Sequence, residues 1–154
     1  MPTFNFSFTV CAPKEAVTAL HSDSQALRKL TPPPLLVTIH RIEPLSEGSE
    51  LEFTIWIGPF PLRWHAIHRN VNKDGFTDIQ LSGPMRKWEH THLFTAHNNS
   101  KTVVSEHIEY EHYNGFTGVV TRILFFKPGL YLLFTMRKLL TRWHVEQKRT
   151  ELPD

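Results

Sequence analysis

A single cysteine, Cys11, leaves no intrachain disulfide available, and a reducing, cytoplasmic setting is the expectation. Neither a Gly-x-Ser-x-Gly elbow nor a Gly-Lys-Ser/Thr phosphate loop occurs, so serine-hydrolase and P-loop nucleotide chemistry have no support. The opening MPTFNFSFTV lacks a basic start, a long apolar core and a small-residue cleavage site, and reads as a strand rather than a secretory leader. Uninterrupted apolar runs are missing as well. Val119 to Met136 is mostly apolar, but Arg122, Lys127, Pro128 and Gly129 break it before the roughly 20 apolar residues that a helical span requires.

Charge of one sign is not in excess either: the net charge is only +2. It is unevenly spread, however. Residues 1–121 hold 10 Lys/Arg against 12 Asp/Glu, a balance of −2, and residues 122–154 hold 7 against 3, a balance of +4. Arg137, Lys138, Arg142, Lys148 and Arg149 are expected to form a solvated helix face suited to the negative end of the helix dipole. Attraction of that face to an anionic membrane is the alternative, so peripheral membrane contact stays open. With no reader motif or exposed aromatic platform, nucleic-acid binding is not expected.

What the chain does have is apolar content, 40% of 154 residues, enough to bury one core and too short for two domains. A single domain over 1–154 is expected. Phe4, Phe6, Phe8 and Val10 alternate with Asn5, Ser7 and Thr9, the period of a half-buried strand. Pro13 opens a short helix, and Ser22 or Asp23 caps a second that ends before Pro32, Pro33 and Pro34. Cys11 is expected as a small packed residue at the end of the first strand. From Leu35 to Tyr113, turns at SEGSE, GPFP, NKDG, SGP and HNNSK separate about six strand-like runs, which favours an antiparallel sheet. After Gly115 the period becomes helical, with Leu132, Met136, Leu139, Leu140 and Trp143 as one stripe and Thr135, Lys138, Thr141 and Arg142 opposite. The expected class is therefore α+β: a curved antiparallel sheet wrapped around one long C-terminal helix, with two short helices after the first strand and a cavity between helix and sheet.

LTPPP at 30–34, GPFPLRWHA at 58–66, FTDIQLSGPMRKWEHTHLF at 76–94, EYEHYNG at 109–115 and LFTMR at 133–137 resemble, in the same order, the START-like (SRPBCC) ligand-binding superfamily, its polyketide cyclase/dehydrase-like branch above all. The resemblance implies a helix-grip fold around a hydrophobic cavity, and no single activity.

Strand alternation places Trp88, His90, His92 and Phe94 on one face, and Thr102, Val104, Glu106, Ile108 and Tyr110 on another. Asp78 and Gln80 join the first set if the SGP hairpin keeps Trp88 inward. Three readings follow for the polar residues. They can satisfy one another as a buried network. They can orient the polar end of a small hydrophobic or amphipathic ligand, with Phe53, Ile55, Trp64, His68, Phe76, Gln80, Trp88, Phe94, Tyr110 and Met136 around it. Or His90, His92, Asp78 and Glu106 can act as acids and bases of a cyclase or dehydratase. Lipid delivery at a membrane surface is a further alternative. His90 and His92, two apart on a strand, are close enough to share an ion with Asp78 or Glu106, but the ligand spacing of known His-x-His metal sites is absent, so neither metal nor cofactor is expected.

Overall fold

The computed structural model describes residues 1–146; the basic pair Lys148 and Arg149 lies outside them. Strand β1 (Thr3–Val10) is followed by helices α1 (Lys14–Ser22) and α2 (Ala26–Leu30), and then by β2 (Leu36–Ile42), β3 (Glu50–Ile57), β4 (Phe60–Asn72), β5 (Gly75–Ser82), β6 (Lys87–Asn98) and β7 (Lys101–Glu111). Helices α3 (Gly115–Leu124) and α4 (Lys127–Glu146) complete the described chain. The seven strands form one antiparallel sheet in the order β1-β7-β6-β5-β4-β3-β2, so every neighbour after β1 is a hairpin partner and β1 closes against β7. This is the α+β helix-grip arrangement expected from the sequence.

The pairing register builds two rows across the inner face. One runs His68, Asp78, His90, Ile108, Phe4, and the next runs Phe76, His92, Glu106, Phe6. A one-residue slip would turn either row outward, and the apolar neighbours in both rows hold the register. Gly75 is required at the start of β5. Its φ is +154°, and a Cβ there would stand 1.9 Å from the His92 carbonyl oxygen.

The C-terminal region differs from expectation in two ways. It is two helices rather than one, bent by 46° between Leu124 and Lys127. Pro128 supplies no amide donor and disfavours helix in the residue before it, but fits the first turn of a new helix. Second, the face of α4 that meets the sheet consists of Leu130, Phe134, Thr141 and Val145, while Leu132, Leu139 and Trp143 of the expected stripe are exposed. Both sides of α4 are apolar, so periodicity alone did not identify the inner one. Thr141 is accommodated inside by donating its hydroxyl to the Arg137 carbonyl at 2.8 Å.

Helix α3 buries only Gly118 and Thr121 and presents Phe116, Val119 and Ile123 to solvent. Cys11 is exposed, contrary to its expected packing, because the chain leaves β1 there and its amide bonds to Glu146 at 2.9 Å. Among the described residues no single helix is long and apolar enough to cross a membrane.

Candidate functional site

Two adjoining lobes open between the sheet and the helices, and Leu27, Leu51, Asp78, His92 and Arg137 line both. The first, of about 150 Å³, is mostly aromatic and aliphatic. Phe53 and Trp64 stack with ring planes 7° apart, Trp88 meets Trp64 edge-on at 5.4 Å, and Phe125 from the end of α3 lies 5.6 Å from Trp88. Leu130, Leu133 and Phe134 of α4 form the opposite wall. The second lobe, of about 110 Å³, is bounded by His21, Leu30, Leu45, His68 and Phe76.

Between the lobes lies a connected polar cluster. His68 Nε2 stands 3.1 Å from Asp78 Oδ1, and His92 Nε2 stands 3.1 Å from Asp78 Oδ2. His90 Nε2 donates to Glu106 Oε2 at 2.8 Å, and His92 Nδ1 is 2.7 Å from the same oxygen. Ser49 Oγ lies 2.9 Å from His68 Nδ1. From α1, His21 donates Nδ1–H to the Val17 carbonyl at 2.9 Å and places its ring 6.0 Å from that of His92.

Burial and mutual charge set the protonation of this cluster. Burial works against ionised Asp78, but bonds from His68 and His92 and the charge of His92 outweigh it and hold the carboxyl below its usual range. Glu106 is likewise pulled well below the ordinary carboxylate value, since His92 and His90 overcome its burial. Burial also opposes a charged His92, yet Glu106 and Asp78 on either side raise it to about 9. His90 and His21 are pushed down to about 4, chiefly by burial and then by the positive charge of His92. At neutral pH the centre is thus an imidazolium between two carboxylates, flanked by neutral His90 and His21.

Of the residues singled out from the sequence, Phe53, Ile55, Trp64, Gln80, Trp88, Asp78, His90 and His92 line the aromatic lobe, and His68 and Phe76 line the other. Gln80 also holds the β5–β6 turn through the Met85 carbonyl at 2.6 Å. Phe94, Tyr110, Met136 and Glu106 line neither lobe. Phe94 packs in the core beside His21 and Phe76, Tyr110 packs against Trp88 and His112, and Glu106 lies beneath the histidines it binds. On α4 the lining falls to Leu133 and Arg137 rather than Met136.

Arg137 corrects a second expectation. It is half-buried at the cavity instead of solvated on the outer face, 5.5 Å over the Phe134 ring, with no ion-pair partner among the described residues. The signal missed was its spacing: Leu130, Phe134, Arg137 and Thr141 share one helical face. His21 escaped notice because a lone histidine on a short helix has no local pattern.

No protein-family model matches the chain, and no curated protein matches it significantly. Solved structures do. A START superfamily protein from Mycobacterium smegmatis superposes with a TM-score of 0.70 at 15% identity, covering 94% of this chain and 97% of the other. A Thalictrum flavum norcoclaurine synthase mutant in complex with a transition-state analogue gives 0.65 at 14% identity, with 96% of each chain covered. The di-domain ARO/CYC StfQ from the steffimycin biosynthetic pathway gives 0.69 at 10% identity, covering 96% of this chain and 52% of that one. With the sheet order and enclosing helix, these likenesses show that the chain has the helix-grip fold that these structures share.

Proposed function

We propose that this protein binds a small, mainly apolar molecule with an anionic or acceptor-bearing end in the cavity between the sheet and α4. Arg137 carries this reading. A guanidinium with no ion-pair partner among the described residues, at the junction of an aromatic lobe and a histidine–carboxylate cluster, supplies a fixed positive charge beside a mainly apolar space. The aromatic walls take the ligand body, and Arg137 takes its polar end. That norcoclaurine synthase, a structure of this fold, is found in complex with dopamine and hydroxybenzaldehyde supports a small aromatic molecule as the kind of ligand.

The test uses 8-anilinonaphthalene-1-sulfonate, an aromatic anion, as a fluorescent probe, with native mass spectrometry of the purified protein to detect retained molecules. Saturable one-to-one binding is expected, weakened about 10-fold or more both by Leu133→Trp, which fills the aromatic lobe, and by Arg137→Met, which removes the charge. Binding unaffected by either change would place the probe elsewhere and sink the reading.

A second reading rests on a separate observation, the apolar outer surface of α3 and α4. Phe116 is 83% exposed, Ile123 67% and Leu132 64%, with Val119, Phe126, Leu139 and Trp143 also more than half exposed. Residues 112–145 contain five Lys/Arg and no Asp or Glu. We infer that this surface docks on an anionic lipid bilayer, where Arg122 and Lys127 meet the headgroups and the apolar side chains enter the interface. Since Phe125, Leu130 and Leu133 of the same helices wall the aromatic lobe, docking would bring that lobe to the lipid and allow exchange of an apolar ligand. Co-sedimentation with phosphatidylserine-containing vesicles is expected, and binding no stronger than to neutral phosphatidylcholine vesicles, or none, would overturn the docking reading.

A further inference from the structure

One relationship in the polar cluster is used neither by ligand binding nor by core packing. His21, His92 and Glu106 are all buried, and a ligand-capable atom from each lies within 4.8 Å of the other two. Hydrogen bonds decide which atoms are left. His21 commits Nδ1 to the Val17 carbonyl, leaving Nε2. His92 donates Nε2–H to Asp78, leaving Nδ1. That nitrogen stands 2.7 Å from Glu106 Oε2 and yet makes no aligned hydrogen bond with it.

In the metal-free chain this nitrogen carries the imidazolium proton, poorly aligned on the oxygen, and an incoming ion would displace it to solvent. Two ligands of one ion do not point at each other. Held at about 2.1 Å from a common centre and about 80–90° apart, as in a six-coordinate 2-His-1-carboxylate site, they stand about 2.7–3.0 Å from one another, each with its lone pair aimed at the ion. The surroundings fit the same geometry. Metal-bound histidines give their second nitrogen to a carbonyl or carboxylate, as His21 gives to Val17 and His92 to Asp78, and metal-bound carboxylates accept a further bond, as Glu106 does from His90.

We propose that His21, His92 and Glu106 form a binding site for one divalent first-row transition ion, with its open coordination positions toward the lobe that His21 and His92 line. Two imidazoles and one carboxylate suit Zn²⁺ or Fe²⁺, and three protein ligands leave room for water or for an oxygen of a cavity ligand. The neighbouring set Asp78, His90 and His92 meets the same distance criterion, but His90 and Asp78 are already engaged as hydrogen-bond partners of Glu106 and His92. The sequence could not disclose this site, because the third ligand comes from α1 and not from the His-x-His strand. It does not depend on the cavity ligand proposed above, and the two are tested by different probes.

The experiment takes the full chain, strips it with a chelator, and titrates Co²⁺ by visible absorption and Zn²⁺ by calorimetry. One ion per chain is expected, with cobalt d–d bands and a rise in melting temperature. His21→Gln, which conserves size and polarity, and His21→Ala should each weaken binding about 10-fold or more, with circular dichroism reporting whether the metal-free variants fold. His97→Ala, at an exposed histidine that lines neither lobe, should retain the cobalt bands. Two results overturn the proposal: no stoichiometric binding, or binding and bands unchanged in folded His21→Gln. Because the first result is read on the unmodified chain, misfolding of a variant does not shelter the proposal.

Discussion

His92 of β6 and Glu106 of β7 are directly paired across the sheet, and their buried side chains approach to 2.7 Å. With Asp78 on its other side, His92 is the hub of the site. Removing one member of such a group leaves the others buried without compensation. Glu106→Gln is therefore expected to lower stability by about 3–5 kcal/mol, measured by urea unfolding. The same change should bring His92 down from about 9, as followed by histidine NMR titration. A loss below about 1 kcal/mol would mean that the cluster is more solvated than its packing implies.

The pH dependence of the metal-free protein follows from the same residues. His90 and His21 are held near 4 in the folded chain against 6.5 ordinarily, so between these values the unfolded chain binds more protons. Their contribution is present above 6.5 and is lost as pH falls toward 4. His92 behaves oppositely. It holds its proton to about 9 when folded, so its contribution is present below 6.5 and is lost as pH rises toward 9. Asp78 and Glu106, both depressed, add stability that disappears only in stronger acid. Unfolding free energy should thus peak near pH 6.5 and decline on both sides. A flat profile from pH 4 to 9 would remove the assigned protonation states.

Backbone geometry offers a separate check. Gly75→Ala places a methyl group against the His92 carbonyl, where only displacement of β5 from β6 relieves the contact. A loss of about 2–4 kcal/mol is expected, with weakened anilinonaphthalene sulfonate binding even though Gly75 lines neither lobe. Stability within about 0.5 kcal/mol of the unmodified chain would show that the strands separate easily at that point.

Strand alternation was legible because β4, β6 and β7 place one class of residue inward: Trp88, His90, His92 and Phe94 share a face as their spacing requires. Register was not legible. That Asp78 faces His90 and lies between two histidines depends on turn geometry and on pairing with β4, which no local pattern encodes. Likewise α4 carries apolar residues on both sides, so periodicity pointed to Leu132, Leu139 and Trp143 when Leu130, Phe134 and Val145 face the sheet. Arg137 was assigned to water for the same reason. His21 comes from an element whose docking is tertiary, through Val17 and Leu20 in the core.

The exposed apolar surface gives the most separable prediction. Phe116 and Ile123 on α3 project away from the core, so Phe116→Asp and Ile123→Asp remove no buried contact and should change folding stability by about 0.5 kcal/mol or less. At a bilayer each such side chain would contribute about 1.5–3 kcal/mol of apolar transfer, and an added carboxylate would oppose anionic headgroups as well. The double variant should therefore lose association with phosphatidylserine vesicles by more than 10-fold while keeping unmodified affinity for anilinonaphthalene sulfonate in solution. Raising salt should weaken the unmodified protein only in part, because Arg122 and Lys127 account for the screened share and the apolar side chains for the rest. If vesicle binding instead vanishes at high salt and survives the double variant, attraction is purely electrostatic and the exposed apolar face has another partner.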